Sequence, residues 1–341
     1  MKITIIGNLG YVGPVLTSYI RRLFPEIKIA GIDAGYFSCS YLDHTQLSCV
    51  DVQLFKDVSK IIPDDLAGSD AVIYLAAISN DPMGRDFAAA TKRINQDQAV
   101  RIAKMVDQIG VKSFVFASSC SVYGSASDKA RIETDDLNPL TDYARSKVNA
   151  EQQMKELDLN NTKINSLRFA TACGVSANLR LDLVLNDFVY EAVINDEVKV
   201  LSDGSPLRPL IDVTDMARFL TWFAINENAP SQGIFNAGFN SCNYSVLEIA
   251  NCVSNLTGCS IDINTSAPPD KRSYKVNFDA IGKLTQFTRP LKNLENSCSE
   301  LKDFILQVIK TRNVDMKLRQ TRLHVIKEFI EKNNLNQELL K

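Results

Sequence analysis

The first thirteen residues constrain the fold more than any other part of the chain. Residues 2–7, KITIIG, make a largely apolar run of the length of a buried strand. The run leads directly into GNLGYVG, which places glycines at Gly7, Gly10 and Gly13. Because glycine has no Cβ, such a turn can be tight, and its N–H groups can approach a pyrophosphate where the next helix begins. The segment predicts strand, turn and helix, the first unit of a parallel α/β sheet.

A carboxylate stands where such a unit recognises the ribose of adenosine. Asp33 ends a second apolar run, IKIAGID, and follows Gly13 by 20 residues. A carboxylate here can accept from both ribose hydroxyls, and it would repel a 2′-phosphate. No Arg or Lys follows Asp33 before Lys56, so the sequence favours NAD over NADP.

A second motif indicates chemistry at a carbinol. Of the ten tyrosines, only Tyr143 has a lysine four residues later, Lys147 in TDYARSK. Residues i and i+4 share a helix face, so the ammonium is expected to favour the phenolate and to lower the pKa of Tyr143 from about 10. A tyrosine tuned in this way can take a hydroxyl proton while hydride leaves the same carbon.

With these motifs the chain resembles, nearly end to end, the extended short-chain dehydrogenase/reductases, and among them the nucleotide-sugar epimerases and dehydratases. The resemblance implies a Rossmann-type doubly wound parallel sheet, an α/β fold, with a smaller C-terminal substrate domain. It implies that Ser119, in FASSCSVYG, hydrogen-bonds the reacting oxygen beside Tyr143 and Lys147. The residues that it implies for NAD are Gly7, Gly10, Tyr11, Val12, Gly13, Asp33, Asp51, Val52, Leu75, Ala76, Ala77, Asn95, Tyr143, Lys147, Phe169 and Ala170.

Some of these assignments come from short matching segments. Asp51 and Val52 resemble the family's adenine contact, and Asn95 resembles its helix asparagine. The run Arg168, Phe169 and Ala170 resembles the loop that lies along the nicotinamide.

The substrate is expected to be a nucleoside-diphosphate sugar. By resemblance, Arg208 in SDGSPLRPLIDVTDMA pairs with the diphosphate, although an arginine here also suits a domain-linking salt bridge. Asn186 lies on a helix that the family uses to contact the nucleotide, and a solvated helix face is the alternative. Thr171 stands where 4-epimerases commonly carry asparagine. The residues expected to contact substrate are Ser79, Ser119, Thr171, Asn186, Arg208, Arg272 and Tyr274.

The residues after Ser119 separate the family's reactions. The 4,6-dehydratases carry Asp-Glu where this chain has Cys120 and Ser121, and the decarboxylases usually keep a Glu at Ser121. Because eliminating water needs a carboxylic acid and a carboxylate base at those points, dehydration is disfavoured. The leading hypothesis is NAD-dependent epimerisation through a transient keto sugar, most consistent with C4. A nucleotide-sugar 4-ketoreductase that uses NAD(P)H is the alternative, and a non-catalytic cofactor-binding relative is a third.

Composition excludes several other classes. Net charge is −2, from 38 basic and 40 acidic side chains, and no basic stripe suggests nucleic acid. No apolar run reaches about 18 residues and no signal peptide opens the chain, so a cytoplasmic protein without a membrane span is expected. Eight scattered Cys without CxxC spacing and two His, His44 and His324, predict neither a metal nor disulfides.

Alternating apolar runs and helical stretches predict the organisation of the chain. Strands are expected near 2–7, 27–32, 46–51, 71–76, 112–118 and 163–169, with the Tyr143 helix over 142–157. Residues 1–169 would form the NAD-binding domain, 170–312 would predominantly bind substrate, and 313–341 would form an amphipathic helix through Leu318, Leu323, Ile326, Phe329 and Ile330. The resemblance also implies a homodimer formed through the Tyr143 helix and the helix before it.

Overall fold

A seven-stranded parallel sheet organises the structure, a computed structural model that describes residues 1–42, 49–124, 129–266, 273–311, 317, 320–336 and 338–340. Its strands in chain order are β1 (Lys2–Ile6), β2 (Lys28–Asp33), β3 (Val52–Phe55), β4 (Ala71–Tyr74), β5 (Ser113–Ser119), β6 (Lys163–Phe169) and a late strand, Gln232–Ala237, here β10. The spatial order is β10-β6-β5-β4-β1-β2-β3, and all six neighbouring pairs are parallel. The predicted doubly wound α/β sheet is confirmed.

The apolar runs form the centre of this sheet. In β1, Ile3, Ile5 and Ile6 are completely buried, and every residue of β4 is buried as well. Strands covered on both faces need apolar side chains at every position rather than alternation, as these sequences have. The chain leaves β1 towards β2 on one side and returns to β4 on the other, so a crevice opens between them at their carboxyl ends.

In the seven-stranded sheet, one predicted strand was wrong and one was missed. The third strand lies at Val52–Phe55 rather than 46–51, of which 46–48 fall outside the described residues. It is an edge strand whose Phe55 is exposed, so it lacks the apolar signal of a buried strand. The other edge strand, β10, begins with exposed Gln232 and gives an equally weak pattern.

Helices cover both faces of the sheet. They are α1 (Val12–Leu23), α2 (Pro63–Leu66), α3 (Asp81–Asp86), α4 (Ala88–Lys92), α5 (Ala99–Gln108), α6 (Asp142–Lys155) and, from later in the chain, a helix at Val213–Ile225, here α8. A π-helical segment, Arg93–Gln98, joins α4 to α5. Because α8 and β10 pack with the first half of the chain, this layer continues well past residue 169.

The remaining elements form a smaller layer beside the carboxyl ends of the strands. A three-stranded sheet contains β7 (Thr171–Cys173), β9 (Leu207–Asp212) and β11 (Asn243–Ser245), and a two-stranded sheet contains β8 (Glu197–Val200) and β12 (Ser260–Ile263). Around them lie α7 (Val184–Asn195), α9 (Val246–Thr257) and α11 (Leu294–Thr311), whereas α10 (Asp279–Thr285) packs against β10 of the large sheet. A C-terminal helix, Arg322–Asn333, returns to the first layer; Leu318 of the predicted apolar stripe lies outside the described residues.

Candidate active site

A cleft of about 1090 Å³ opens at the carboxyl ends of β1, β2, β4, β5 and β6, between the two layers. Its volume exceeds the range of about 300–1,000 Å³ typical of sites for one drug-sized molecule, so it has room for a dinucleotide and a second ligand. Predicted cofactor and catalytic residues that line it are Gly7, Gly10, Tyr11, Val12, Asp33, Leu75, Ala76, Ala77, Ser119, Tyr143, Lys147, Phe169 and Ala170.

The glycine turn has the shape of an anion cradle. Gly7 has φ +89°, and a Cβ there would lie 2.4 Å from the Ala76 nitrogen, so only glycine allows β1 and β4 to approach this closely. At the start of α1, no side chain caps the helix, so its first N–H groups are available to a phosphate. Gly13 does not line the cleft; its backbone packs against Asn8, where a Cβ would lie 2.0 Å from the carbonyl oxygen.

Asp33 stands at the carboxyl end of β2, on the cleft. Its carboxylate accepts from the backbone N–H groups of Leu9 at 3.0 Å and Gly35 at 2.7 Å. Burial raises the pKa of Asp33, and these two hydrogen bonds oppose the rise. The carboxylate is therefore fixed beside the glycine turn, where the ribose hydroxyls of a dinucleotide would meet it.

The structure corrects the predicted adenine contact. Asp51 lies at the amino end of the sheet, where its carboxylate accepts from the Ile29 nitrogen at 2.7 Å, and neither it nor Val52 lines the cleft. The residues that line it are Asp57 and Val58, just beyond β3. The dipeptide Asp-Val occurs at both places, and the error in the predicted position of the third strand led to the choice of Asp51 and Val52. Ligand sites lie beyond the carboxyl ends of parallel strands, where Asp57 and Val58 are found.

The catalytic residues predicted from the sequence meet at one point of the cleft. Thr141 caps α6 by accepting from the Ala144 nitrogen at 3.2 Å, which sets Tyr143 in the first turn. The Ser119 hydroxyl, at the end of β5, lies close enough to the Tyr143 phenol to lower its pKa. One turn along, Lys147 Nζ donates to the Ala117 carbonyl at 2.6 Å and lies 5.8 Å from the centroid of the Tyr143 ring.

The predicted direction of the tyrosine pKa was wrong. Burial raises the pKa of Tyr143 above its ordinary value, although the nearby Ser119 hydroxyl and the positive charge of Arg180 lower it. Burial also lowers the pKa of Lys147 to about 7. Desolvation disfavours the charged form of both groups and is the largest cause of both shifts, so it outweighs the mutual attraction that the spacing suggested.

Two predicted asparagines support the site without lining it. Asn95 is completely buried; its amide accepts from the Ile78 nitrogen at 2.8 Å and donates to the Ile78 carbonyl at 2.9 Å, which holds the loop after β4. Asn186 accepts from the Gly174 nitrogen at 3.0 Å and donates to the Tyr11 hydroxyl at 3.2 Å. Each therefore braces a cleft-lining loop rather than facing the ligand.

Arg168 also faces away from the cleft. Its guanidinium forms an ion pair of 2.7 Å with Glu151 of α6, and both side chains are almost completely buried. Of the three residues that resemble the family's nicotinamide loop, only Phe169 and Ala170 line the cleft.

At the substrate end, the structure places Ser79, Thr171, Arg208 and Tyr274 on the cleft, together with Ser119. The position of Arg272 falls outside the described residues. Sequence reasoning missed Arg180, whose guanidinium is paired with Asp182 at 2.9 Å and donates to the Ser79 hydroxyl at 3.1 Å. Arg180 lies in an irregular segment, where no helical or strand spacing indicated a functional role.

Other chemistries find no support in the geometry. Cys120 is buried, its thiol donates to the Arg168 carbonyl at 3.0 Å, and burial raises its pKa, so it is not an activated nucleophile. Within the described ranges, no cluster of three or more His, Cys, Asp or Glu side chains could hold a metal ion. Across the same part of the chain, no helix has the length and apolar character needed to span a bilayer.

Comparison with known proteins agrees with this architecture. The model of the family described as NAD dependent epimerase/dehydratase matches residues 3–238. "Protein CapI" of Staphylococcus aureus is 23% identical, over 91% of this chain and 100% of its own length. The UDP-glucose 4-epimerase of Lacticaseibacillus casei is 21% identical, over 84% of this chain and 95% of its own.

Among solved structures, the UDP-glucuronic acid 4-epimerase of Bacillus cereus, in complex with UDP-glucuronic acid and NAD, superposes with a TM-score of 0.77 at 21% identity, over 90% of this chain and 100% of its own. The glycine cradle, the uncapped start of α1 and the Asp33 carboxylate fit a dinucleotide. The chain belongs to the NAD dependent epimerase/dehydratase family, and it is an enzyme that uses NAD.

Proposed function

We propose that this enzyme epimerises a nucleoside-diphosphate sugar through a transient keto sugar, with C4 as the reacting carbon. The observation that carries the proposal is that Ser119, Tyr143 and Lys147 line the same cleft, with the Ser119 hydroxyl close enough to the Tyr143 phenol to lower its pKa. A hydroxyl beside a phenol can provide a path for one proton to and from a substrate hydroxyl.

The residues divide the work as follows. When bound, NAD accepts and returns the hydride of one sugar carbon. The glycine turn and Asp33 would hold the dinucleotide, while Tyr143 would take the substrate's hydroxyl proton directly or through Ser119. The Lys147 ammonium, when protonated, would stabilise the phenolate that this step leaves.

The neighbours of Ser119 favour redox chemistry at one carbon over dehydration. Ser121 lines the cleft, and Cys120 points into the core, so the two positions at which dehydratases carry Asp-Glu supply neither an acid nor a base here. Elimination of water needs both groups.

The relatives support a uridine diphosphate sugar as the substrate. Their names include UDP-glucose 4-epimerases and UDP-arabinose 4-epimerases, and the Bacillus cereus structure contains UDP-glucuronic acid. In this chain Arg208 of β9 and Tyr274 line the end of the cleft away from the glycine turn, where Arg208 would pair with the sugar nucleotide's diphosphate.

Two measurements test the proposal. Mass spectrometry of the nucleotides released from the native protein should find near-stoichiometric NAD, since an epimerase keeps its cofactor through the cycle. Incubation with UDP-glucose, UDP-galactose, UDP-glucuronic acid and UDP-arabinose, followed by NMR, should detect a C4 epimer, and Tyr143→Phe should abolish its formation while NAD stays bound.

Other results would favour the alternatives. Stoichiometric oxidation of NADH or NADPH by a 4-keto nucleotide sugar would indicate the ketoreductase, and full turnover by Tyr143→Phe would reject the proposed acid–base role. We also propose a cytoplasmic homodimer with α5 and α6 at its interface; light scattering of the purified protein would test the dimer.

A further inference from the structure

The C-terminal segment, defined here as the described residues from 320 to 340, packs against the wall of the cleft formed by the loop after β2. The Phe329 ring lies edge-on to the Tyr36 ring at 5.2 Å between centroids, and Tyr36 lines the cleft. Near the end of the segment, Arg93 donates to the Glu338 carbonyl at 2.7 Å. Ile326 is completely buried in the hydrophobic core on one face of the seven-stranded sheet. The segment is therefore part of the layer that contains the seven-stranded sheet and the predicted NAD site.

One side chain of this segment, Arg322, reaches the cleft itself. It is only 2% exposed, and its guanidinium lies 4.6 Å from the centroid of the Phe37 ring. Two of its N–H groups donate to Asn178, at 2.8 Å to the side-chain oxygen and 2.9 Å to the backbone carbonyl. Asn178 in turn donates to the Leu9 carbonyl at 2.7 Å, inside the glycine turn. Asn178 thus links Arg322 to the glycine turn, where the phosphates are expected to bind.

The charge of Arg322 has no paired anion among the described residues, where its hydrogen-bond partners are neutral. Asp33 and Asp182 act on it electrostatically, but Asp33 is bonded to backbone N–H groups and Asp182 to Arg180. Burial, reinforced by the nearby positive charge of Arg180, lowers the pKa of Arg322 to about 9. A buried cation without a paired anion is costly, and an anionic ligand in the cleft would remove that cost.

We propose that Arg322 binds a phosphate group of the dinucleotide cofactor, so that the C-terminal segment completes the cofactor site. A guanidinium suits a phosphate, and two sources are conceivable: the diphosphate that NAD shares with ADP, and the 2′-phosphate of NADP. The link through Asn178 to the glycine turn selects the diphosphate, because that turn and the start of α1 are where a diphosphate binds.

The test compares Arg322→Met with the wild type, both as full-length protein stripped of nucleotide. Calorimetric titration with NAD, ADP, NADP and adenosine should show that the variant loses about ten- to a hundredfold in affinity for NAD and ADP, the worth of one charge-assisted hydrogen bond. Affinity for adenosine, which has no phosphate, should not change. The matched control is Lys327→Met, since Lys327 is on the same helix but pairs with Asp86 at the surface and does not line the cleft.

Three results would overturn the proposal. Unchanged affinity for NAD and ADP would remove any phosphate role, and a loss confined to NADP would assign Arg322 to the 2′-phosphate. An equal loss for adenosine would show that the substitution only disturbs packing around Phe37.

A measurement on the wild type covers the case in which Arg322→Met does not fold. Amide hydrogen exchange of the C-terminal helix, Arg322–Asn333, should slow when ADP is added and should not slow with adenosine. Equal exchange with and without ADP would contradict the proposal.

Discussion

At the scale of single residues, Lys147 links the catalytic site to the pH dependence of stability. Its pKa is about 7 in the folded protein against an ordinary 10.5, because its ammonium is buried. Below about pH 7 the folded state must hold a buried charge, so the destabilisation is fully present there. Between about pH 7 and 10.5 the unfolded chain binds a proton that the folded chain has released, so this contribution improves as pH rises. Lys147→Met should therefore stabilise the nucleotide-free protein most at about pH 6 and hardly at all near pH 10.5, as measured by urea unfolding.

The control for this prediction is Lys155→Met, on the exposed side of the same helix. Its effect on the free energy of unfolding should be small at every pH, as is usual for surface substitutions. A gain for Lys147→Met that does not vary with pH would show that the lysine's burial, rather than its charge, determines the result.

The buried ion pair between Arg168 and Glu151 predicts a second effect on stability. Replacing one partner leaves the other charge buried and unpaired, so Glu151→Gln should lower the free energy of unfolding by about 3–5 kcal/mol. The double variant with Arg168→Met should recover part of this loss. Asp142→Asn provides the control, because it breaks an exposed pair with Arg145 on the same helix and should cost about 1 kcal/mol or less. Urea unfolding of the four proteins measures all three values, and equal losses for both single variants would reject the role of burial.

Individual residues were predictable where a local motif fixed both the element and its end. The glycines are of this kind because strand, turn and helix lie next to one another in the chain, and Tyr143 and Lys147 are because both lie in one helix. Asp57 was missed because the choice between the two Asp-Val dipeptides depends on where β3 lies. β3 is an edge strand with a weak apolar pattern, so its position could not be predicted from its own sequence. Arg168 was wrongly placed on the cleft because neighbouring side chains on a strand point to opposite faces. Phe169 faces the cleft, so the side chain of Arg168 faces the buried Glu151 instead.

At the scale of elements, the contact between α1 and the glycine turn depends on Gly13. A Cβ there would lie 2.0 Å from the Asn8 carbonyl oxygen, and backbone atoms cannot move aside as a side chain would. Gly13→Ala should therefore push α1 away from the turn, lower stability by about 1–3 kcal/mol, and weaken NAD binding. Denaturation and calorimetric titration measure the two effects.

Gly282→Ala in α10 is the matched substitution. The nearest atom to a Cβ there is the Phe287 carbonyl oxygen at 3.6 Å, which is an ordinary contact. Because alanine is the better helix former, this variant should gain about 0.5–1 kcal/mol and bind NAD as the wild type does. If both variants lost stability alike, the crowding at Gly13 would not be the cause.

Element prediction succeeded for strands buried on both faces and failed at the edges of the sheet. β1 and β4 carry largely apolar runs, since both of their faces are covered. The edge strands β3 and β10 are half exposed, so their position depends on pairing with β2 and β6 rather than on their own composition.

At the scale of the whole molecule, the cleft is assembled from segments far apart in the chain. Tyr36 contacts Phe329, and Asn178 joins the glycine turn to Arg322. No local pattern encodes such contacts, because each segment is compatible with many partners until the sheet order is fixed. The sequence therefore predicted the end of the cleft that its motifs build, and it missed the wall that the C-terminal segment adds.

The separation of the two ends of the cleft gives the last prediction. Arg208 lies on β9 of the smaller layer, whereas the glycine turn and Asp33 belong to the sheet. If Arg208 anchors the diphosphate of the sugar nucleotide in both ground and transition states, Arg208→Met should raise KM at least about tenfold and leave kcat nearly unchanged. The content of bound NAD should equal that of the wild type, because the substitution is in the other layer.

Arg218→Met is the control for this experiment. Arg218, on α8, stacks on the Phe287 ring at 3.6 Å and does not line the cleft, so its loss should change neither KM nor bound NAD. A fall in bound NAD with Arg208→Met would mean that the two ends of the cleft are coupled, and an unchanged KM would assign Arg208 to the structure of β9 alone. Only a rise in KM at constant NAD content fits a cleft in which one layer holds the cofactor and the other positions the sugar nucleotide above it.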